Sequence, residues 1–190
     1  AEANKVLFNI GAGLFEENQT FGAGSDSRAV KLADLNNDGA LDIVIANTGQ
    51  TASGYYINDG TGNFGTIIEL GQMRSNSVAV GDFNADGLID IVFGNGKDVG
   101  NKVFIQPFNI VTEQLSNNSI NVKTIEQTVN ATSVITGDFN GDGHLDIVIG
   151  YDTSTLEIMY KDGTGAFNSE LVADIFNVNV LTSADINNDS

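Results

Sequence analysis

DLNNDGALD at residues 34–42 returns almost letter for letter as DFNADGLID at 82–90 and DFNGDGHLD at 138–146, and starts again as DINNDS at 185–190. The leading aspartates, Asp34, Asp82, Asp138 and Asp185, are 48, 56 and 47 residues apart. Periods of this length belong to solenoids and propellers. Each complete copy sits between two apolar runs: AVKLA (29–33), SVAVG (77–81) and SVITG (133–137) lead in, and IVIAN (43–47), IVFGN (91–95) and IVIGY (147–151) follow. Short runs rich in β-branched residues and bounded by turn formers read as buried strands.

A third segment then enters a glycine turn, YYINDGTGNF (55–64) or IMYKDGTGAF (158–167), and a fourth strand leaves it as TIIEL (66–70) or ELVAD (170–174). The Asp-Gly and Gly-Asn steps supply the positive φ of a tight hairpin. Four antiparallel strands per unit match one propeller blade. The second unit departs from this, with an irregular surface loop expected at 107–121 in place of the glycine turn. VLFNIGAGLF (6–15) aligns with YYINDGTGNF, so the sequence opens at a third strand and closes inside a fourth nonapeptide. These look like two parts of one blade that lacks a central strand. Either a four-bladed ring with a deficient closing blade or a segment of a larger propeller or array is compatible with that pattern. The expected fold is all-β: a single β-propeller or propeller segment over 1–190, built of four-stranded antiparallel blades. Its repeats fall at about 1–27 (partial), 28–75, 76–131, 132–178 and 179–190 (partial), about four in all with the closing blade incomplete.

Within DLNNDGALD the oxygen-bearing side chains stand at positions 1, 3, 5 and 9. In a tightly wound loop Asp34, Asn36 and Asp38 converge, Gly39 permits the sharp turn, Ala40 offers its carbonyl and Asp42 closes the far side. A set of hard oxygens suits calcium, whereas zinc and copper want imidazole or thiolate. The spacing follows the first nine positions of an EF-hand loop, but Ile45, Phe93 and Ile149 stand where the bidentate Glu would be, and a strand follows.

DxNxDGxxDIV with its preceding strand and the following NDGTGxF turn resembles the FG-GAP or VCBS-type repeat, and is similar to the calcium-binding blades of integrin α-subunit propellers and of propeller lectins. The resemblance spans nearly the whole chain. It implies a β-propeller with calcium in the inter-strand loops. The implied ligands are Asp34, Asn36, Asp38, Ala40 (carbonyl) and Asp42; Asp82, Asn84, Asp86, Leu88 (carbonyl) and Asp90; Asp138, Asn140, Asp142, His144 (carbonyl) and Asp146. A fourth, partial site has Asp185, Asn187 and Asp189, with Ser190 in the glycine position. Three calcium sites are therefore expected, with a fourth incomplete.

Composition narrows the function classes. Twenty-five acids against eight bases give a net charge of −17, which repels nucleic acid and anionic membranes and attracts cations. Apolar runs are far shorter than the roughly 20 residues of a membrane helix, so no membrane insertion is expected. Without cysteine and with His144 as the single histidine, thiolate and Ser-His chemistry have nothing to build on, and no catalytic residue is assigned. Leu35, Phe83, Phe139 and Ile186 hold motif position 2 and are expected in the core, as are Phe15, Phe64 and Phe167 at the turn ends. Tyr55, Tyr56, Tyr151 and Tyr160 are candidate sugar-stacking surfaces or, more ordinarily, half-buried strand residues. Sequons at Asn18, Asn117, Asn130 and Asn188 establish nothing by themselves.

The expected function is an extracellular or cell-surface calcium-binding module, non-enzymatic, acting in adhesion or in binding a protein or glycan. Alternatives are a structural unit that self-associates in a tandem-repeat fibre, and a non-catalytic propeller attached to a secreted enzyme.

Overall fold

The computed structural model describes residues 2–106, 121–125, 129–162, 166–173 and 178–184. The expected loop at 107–121 (apart from its last residue), the fourth nonapeptide with Asp185, Ile186, Asn187 and Asp189, and the sequons at Asn117 and Asn188 lie outside the described residues. Fourteen strands and no helix occur among the described residues. No helix there is long and apolar enough to cross a membrane.

The strands follow the repeat. β1 (Asn4–Gly11) and β2 (Leu14–Phe21) form a two-stranded hairpin. Three antiparallel meanders of four strands follow: β3 (Ser27–Ala33), β4 (Asp42–Asn47), β5 (Ser53–Tyr56) and β6 (Ile68–Gly71); β7 (Ser75–Gly81), β8 (Asp90–Asn95), β9 (Asn101–Ile105) and β10 (Asn121–Ile125); β11 (Ala131–Gly137), β12 (Asp146–Tyr151), β13 (Leu156–Lys161) and β14 (Phe167–Val172). The nonapeptide joins the first strand to the second in each of the three four-stranded sheets, and its glycines Gly39, Gly87 and Gly143 all have φ between 84° and 88°, the left-handed region that a side chain resists.

The second strands β4, β8 and β12 are buried along their whole length, which is why their sequences are continuous apolar runs instead of alternating ones. Fourth strands deviate from expectation. β14 begins at Phe167 because the chain pairs with Lys161 as soon as it leaves the turn. β6 begins only at Ile68, because Phe64 is held in an isolated bridge to Asn58 and Gly65 donates to the Ile57 carbonyl.

Successive sheets stack through their first strands, β3 on β7 and β7 on β11. Two clusters of ten buried residues fill the interfaces. One joins Val44, Ala46 and Tyr55 to Val78, Ile91 and Phe93; the other joins Phe83, Val92 and Val103 to Val134, Ile147 and Ile149. Segment 178–184 has no strand assignment, yet it continues the series by the same bonds. Leu181 N donates to Ser133 Oγ at 3.0 Å as Val134 N donates to Ser77 Oγ at 3.0 Å, and Thr132 Oγ1 donates to the Val178 carbonyl where Asn76 Nδ2 donates to that of Ala131. A cavity of about 300 Å³ is lined by Lys31, Val80, Thr136 and Leu181 among others, so four lead-in segments share one space.

A polar seam, half-buried at the hairpin and buried beyond it, runs through the sheets and their interfaces. Asn4 Nδ2 donates to Ser27 Oγ, Ser27 to Asn47 Oδ1, Ser53 Oγ to Ser75 Oγ, and Ser75 to Asn95 Oδ1; farther on, Asn101 Nδ2 donates to the Tyr151 hydroxyl, which donates to Glu157. Among the described residues no buried side-chain nitrogen or oxygen lacks a partner, as a low-dielectric interior demands. Position 2 of the motif behaves as expected in two units, where Leu35 and Phe83 are buried, but Phe139 is 38% exposed. Leu35 and Phe83 are covered by the following sheet; Phe139 rests on its own Gly137 instead. Phe64 and Phe167 pack at core edges, whereas Phe15 is 63% exposed at the hairpin tip.

Candidate metal centre

The three nonapeptide loops share one hydrogen-bonding scheme. In the first, Asp38 N donates to both Asp34 Oδ1 and Asn36 Oδ1 at 3.1 Å, Gly39 N donates to Asp34 Oδ2 at 2.8 Å, and Asn36 Nδ2 donates to Asp38 Oδ2 at 2.7 Å. Asp82, Asn84 and Asp86 repeat these contacts, as do Asp138, Asn140 and Asp142. The side chains of positions 1, 3 and 5 therefore meet at one end of each loop. At position 7 it is the amides of Ala40, Leu88 and His144 that are fixed, each by the carboxylate of position 5. The loops of the first two sheets touch, since Asn37 Nδ2 donates to the Gly87 carbonyl.

The position-9 aspartate does something the sequence did not announce. Asp42, Asp90 and Asp146 are all fully buried. One oxygen of each accepts the amide of motif position 2 (Leu35, Phe83 and Phe139, at 2.9, 2.7 and 3.0 Å). The other accepts an amide at or just past the end of the third strand (Asn58, Gln106 and Lys161, each at 2.8 Å). Each of these carboxylates thus clips the start of the loop to the end of the third strand across the second. Gln106 extends the clip, donating through Nε2 to the carbonyls of Ile89 and, across the sheet interface, Leu35. Asp at a strand's first residue, directly before a buried apolar run, was the available signal, because a charge there needs donors.

With both oxygens turned to backbone amides, position 9 is not drawn in with the other acids. No three acidic, histidine or cysteine side chains among the described residues are gathered tightly enough to hold an ion. The donor set nonetheless fits a hard divalent cation: it is oxygen throughout, with convergent side chains at positions 1, 3 and 5 and spare lone pairs on the ninth carboxylate.

Electrostatics separate the groups. Burial raises the Asp90 carboxyl to about 6, with the charges of Asp86 and Asp82 adding to the shift and the amides of Gln106 and Phe83 opposing it. Asp42 is raised in the same way. Asp138 is lowered, chiefly by the Gly143 amide, and Asp59, in the glycine turn, falls to about 2 through its bonds to Thr61. An unfolded Asp titrates near 3.9, so between about pH 4 and 6 folded Asp90 holds a proton that the unfolded chain has lost. Its stabilising contribution is complete below pH 4 and disappears as pH rises through 6. The depressed carboxyls act oppositely: Asp138 and Asp59 lose their stabilising contribution as pH falls below about 4, Asp59 through about 2. Calcium-free protein should therefore melt higher at pH 5 than at pH 7 in calorimetry; the reverse order would refute this assignment.

The remaining candidates resolve clearly. Tyr55, Tyr56 and Tyr151 are buried, with their hydroxyls pushed upward by burial, so they offer no face to a sugar; Tyr160 is half-buried. His144 is half-buried within its loop. Asn18 donates to the Gly62 carbonyl and Asn130 to Asp152.

Comparison with known proteins agrees with the repeat. Residues 34–93 match the FG-GAP-like repeat and residues 130–167 the FG-GAP repeat, together just over half of the chain. No curated protein sequence matches it. Repeats of this kind occur in extracellular adhesion and ligand-binding proteins. Three four-stranded sheets of one design, each with the same loop between its first two strands, and family matches on both sides of the segment 94–129 establish that the chain is an FG-GAP-type repeat protein.

Proposed function

We propose that this chain forms a β-propeller, or part of one, whose nonapeptide loops bind structural calcium, and that it works outside the cell as a non-enzymatic platform for a protein or glycan ligand. The observation that carries the reading is the threefold recurrence of one loop. Positions 1, 3 and 5 converge in it on oxygen donors, and position 9 anchors it to the neighbouring strands. Calcium would be held by Asp34, Asn36, Asp38 and Asp42, by Asp82, Asn84, Asp86 and Asp90, and by Asp138, Asn140, Asp142 and Asp146, aided by the carbonyls of Ala40, Leu88 and His144. Bound there, the ion would neutralise clustered carboxylates and lock the strand ends together. The propeller reading is supported by the four lead-in segments around one cavity and by identical inter-sheet bonds at successive interfaces.

The partner would sit on the loops between sheets, where a rigid scaffold leaves sequence free to vary. A structural role in a tandem array is the second reading, favoured by the apolar faces left open at the first sheet and at Phe139. Equilibrium dialysis against calcium tests the main proposal. Three ions per chain are expected, displaced poorly by magnesium, which prefers a smaller octahedral shell; no bound calcium at millimolar concentration would end it.

A further inference from the structure

The only two arginines of the chain, Arg28 and Arg74, stand in different repeats yet line one pocket of about 330 Å³, together with Lys97. Three of the eight bases are thus gathered in one place on a protein of net charge −17. The pocket lies at the edge of the sheets opposite the acidic nonapeptides. Asp26 precedes β3 and Thr48 follows β4, whereas residues 34–42 join the other ends of these strands. Its frame is a backbone bond that recurs in all three units: Thr48 N donates to the Asp26 carbonyl, Gly96 N to that of Arg74 and Asp152 N to that of Asn130.

Neither arginine behaves as its counterparts in the other repeats do. Arg28 is the extra residue of a register shift that recurs in β7 and β11, where Asn76 and Thr132 bond to the next lead-in segment. Arg28 makes no such bond; its Nε donates to Thr48 Oγ1 in its own sheet. Arg74 has a φ of 52°, and Asp26 and Asn130, which hold its place before β3 and β11, do not share this positive φ. A long side chain in the left-handed region costs backbone energy, and stacking does not require it, since both counterparts do without.

The positive charge is incompletely used. Arg28 Nη2 is 3.4 Å from Asp26 and Arg74 Nη1 is 3.7 Å from Asp98, while the closed pair Lys5–Glu17 measures 2.7 Å. Charge-assisted bonds close to about 2.7–2.9 Å. Lys97 has no ion-pair partner among the described residues. Three bases against two acids leave the pocket one positive charge. Its neutral polar groups are largely occupied: Thr48 Oγ1 donates to Asp26, Asn76 Nδ2 to the Ala131 carbonyl, and Asn130 bonds the Lys97 amide and Asp152. The free capacity is therefore cationic N–H, and no aromatic ring lines the pocket for a sugar to stack on.

We propose that this pocket is a carboxylate-binding site that receives one Asp or Glu side chain of a protein partner. The partner's carboxylate oxygens accept N–H donors from Arg28, Arg74 and Lys97, and its single negative charge neutralises the pocket. Polyanions are opposed by the field of the whole chain. The site specifies where the ligand platform proposed above takes hold and rests on that reading; it uses none of the calcium loops.

With only two arginines, the side-chain Nε–Hε resonances of isotope-labelled protein report the site directly. The probe is acetyl-Gly-Asp-Gly-amide, titrated at constant low ionic strength into protein of measured calcium content. Both resonances should shift together with one midpoint in the millimolar range, and acetyl-Gly-Asn-Gly-amide should leave them still. Lys97→Gln and Arg74→Gln should each raise the midpoint at least about threefold. Both side chains are exposed, so the variants should melt like the parent. Resonances that ignore the Asp peptide, answer both peptides equally or keep one midpoint in both variants would overturn the proposal. So would a response to glucuronate at lower concentration than to the peptide, which would assign the pocket to acidic sugars. Calcium-loaded protein with silent arginines strikes this site alone and leaves the calcium-binding platform standing; responsive arginines in protein that binds no calcium would do the reverse.

Discussion

Excess EGTA is expected to lower the thermal midpoint by roughly 20 °C, and calcium to restore it. An ion present at 100 times its dissociation constant contributes about 2.7 kcal/mol. Three loops then give about 8 kcal/mol, comparable with the roughly 5–15 kcal/mol net stability of a whole domain. For a chain of this length each kcal/mol moves the midpoint by about 2–4 °C. The effect is large because without an ion each loop gathers like charges: Asp34 and Asp38 lie close enough to raise the carboxyl of Asp42, and Asp82 and Asp86 do the same to Asp90. A divalent cation reverses the sign of that interaction. A melt that does not move in chelator would mean that the amide bonds within the loops suffice to hold them.

The largest single-residue effect is expected at Asp90. Replacing it by Ala removes the acceptors of Phe83 N and Gln106 N, both buried. Leaving two buried amides unsatisfied, both at the first residue of a fully buried strand, should cost about 3–5 kcal/mol. Asp90→Asn keeps one acceptor oxygen and should cost about half as much. Chemical denaturation in EGTA makes the distinction that matters. The Ala penalty persists there if Asp90 acts as a backbone clip, and vanishes if it serves only an ion. Asp86, exposed at the tip, provides the contrast: its replacement by Ala should barely change stability in EGTA while reducing the gain from added calcium.

These contrasts show which parts of the molecule could be read from its residues. Strand order, the positive φ at Gly39, Gly87 and Gly143, and the meeting of positions 1, 3 and 5 are local events. They depend on alternation, on the missing Cβ and on short side chains facing nearby amides, all of which a nonapeptide carries with it wherever it stands. The repeat then extends that local reading along the chain, and two family matches agree with it.

The role of Asp42, Asp90 and Asp146 is different in kind. Their amide partners at Asn58, Gln106 and Lys161 lie fifteen or sixteen residues away and come within reach only when the third strand has folded back. Burial is less local still. Phe83 and Phe139 share a motif position, as do Val78 and Val30, yet one of each pair is buried and the other exposed. The sequence alone specified the unit: four strands, a glycine turn and an acidic loop, because backbone preference and side-chain alternation act over a few residues. Tertiary structure decided which faces of those units are covered and which carboxylates are anchored, because desolvation depends on the neighbouring sheet and identical residues meet different neighbours.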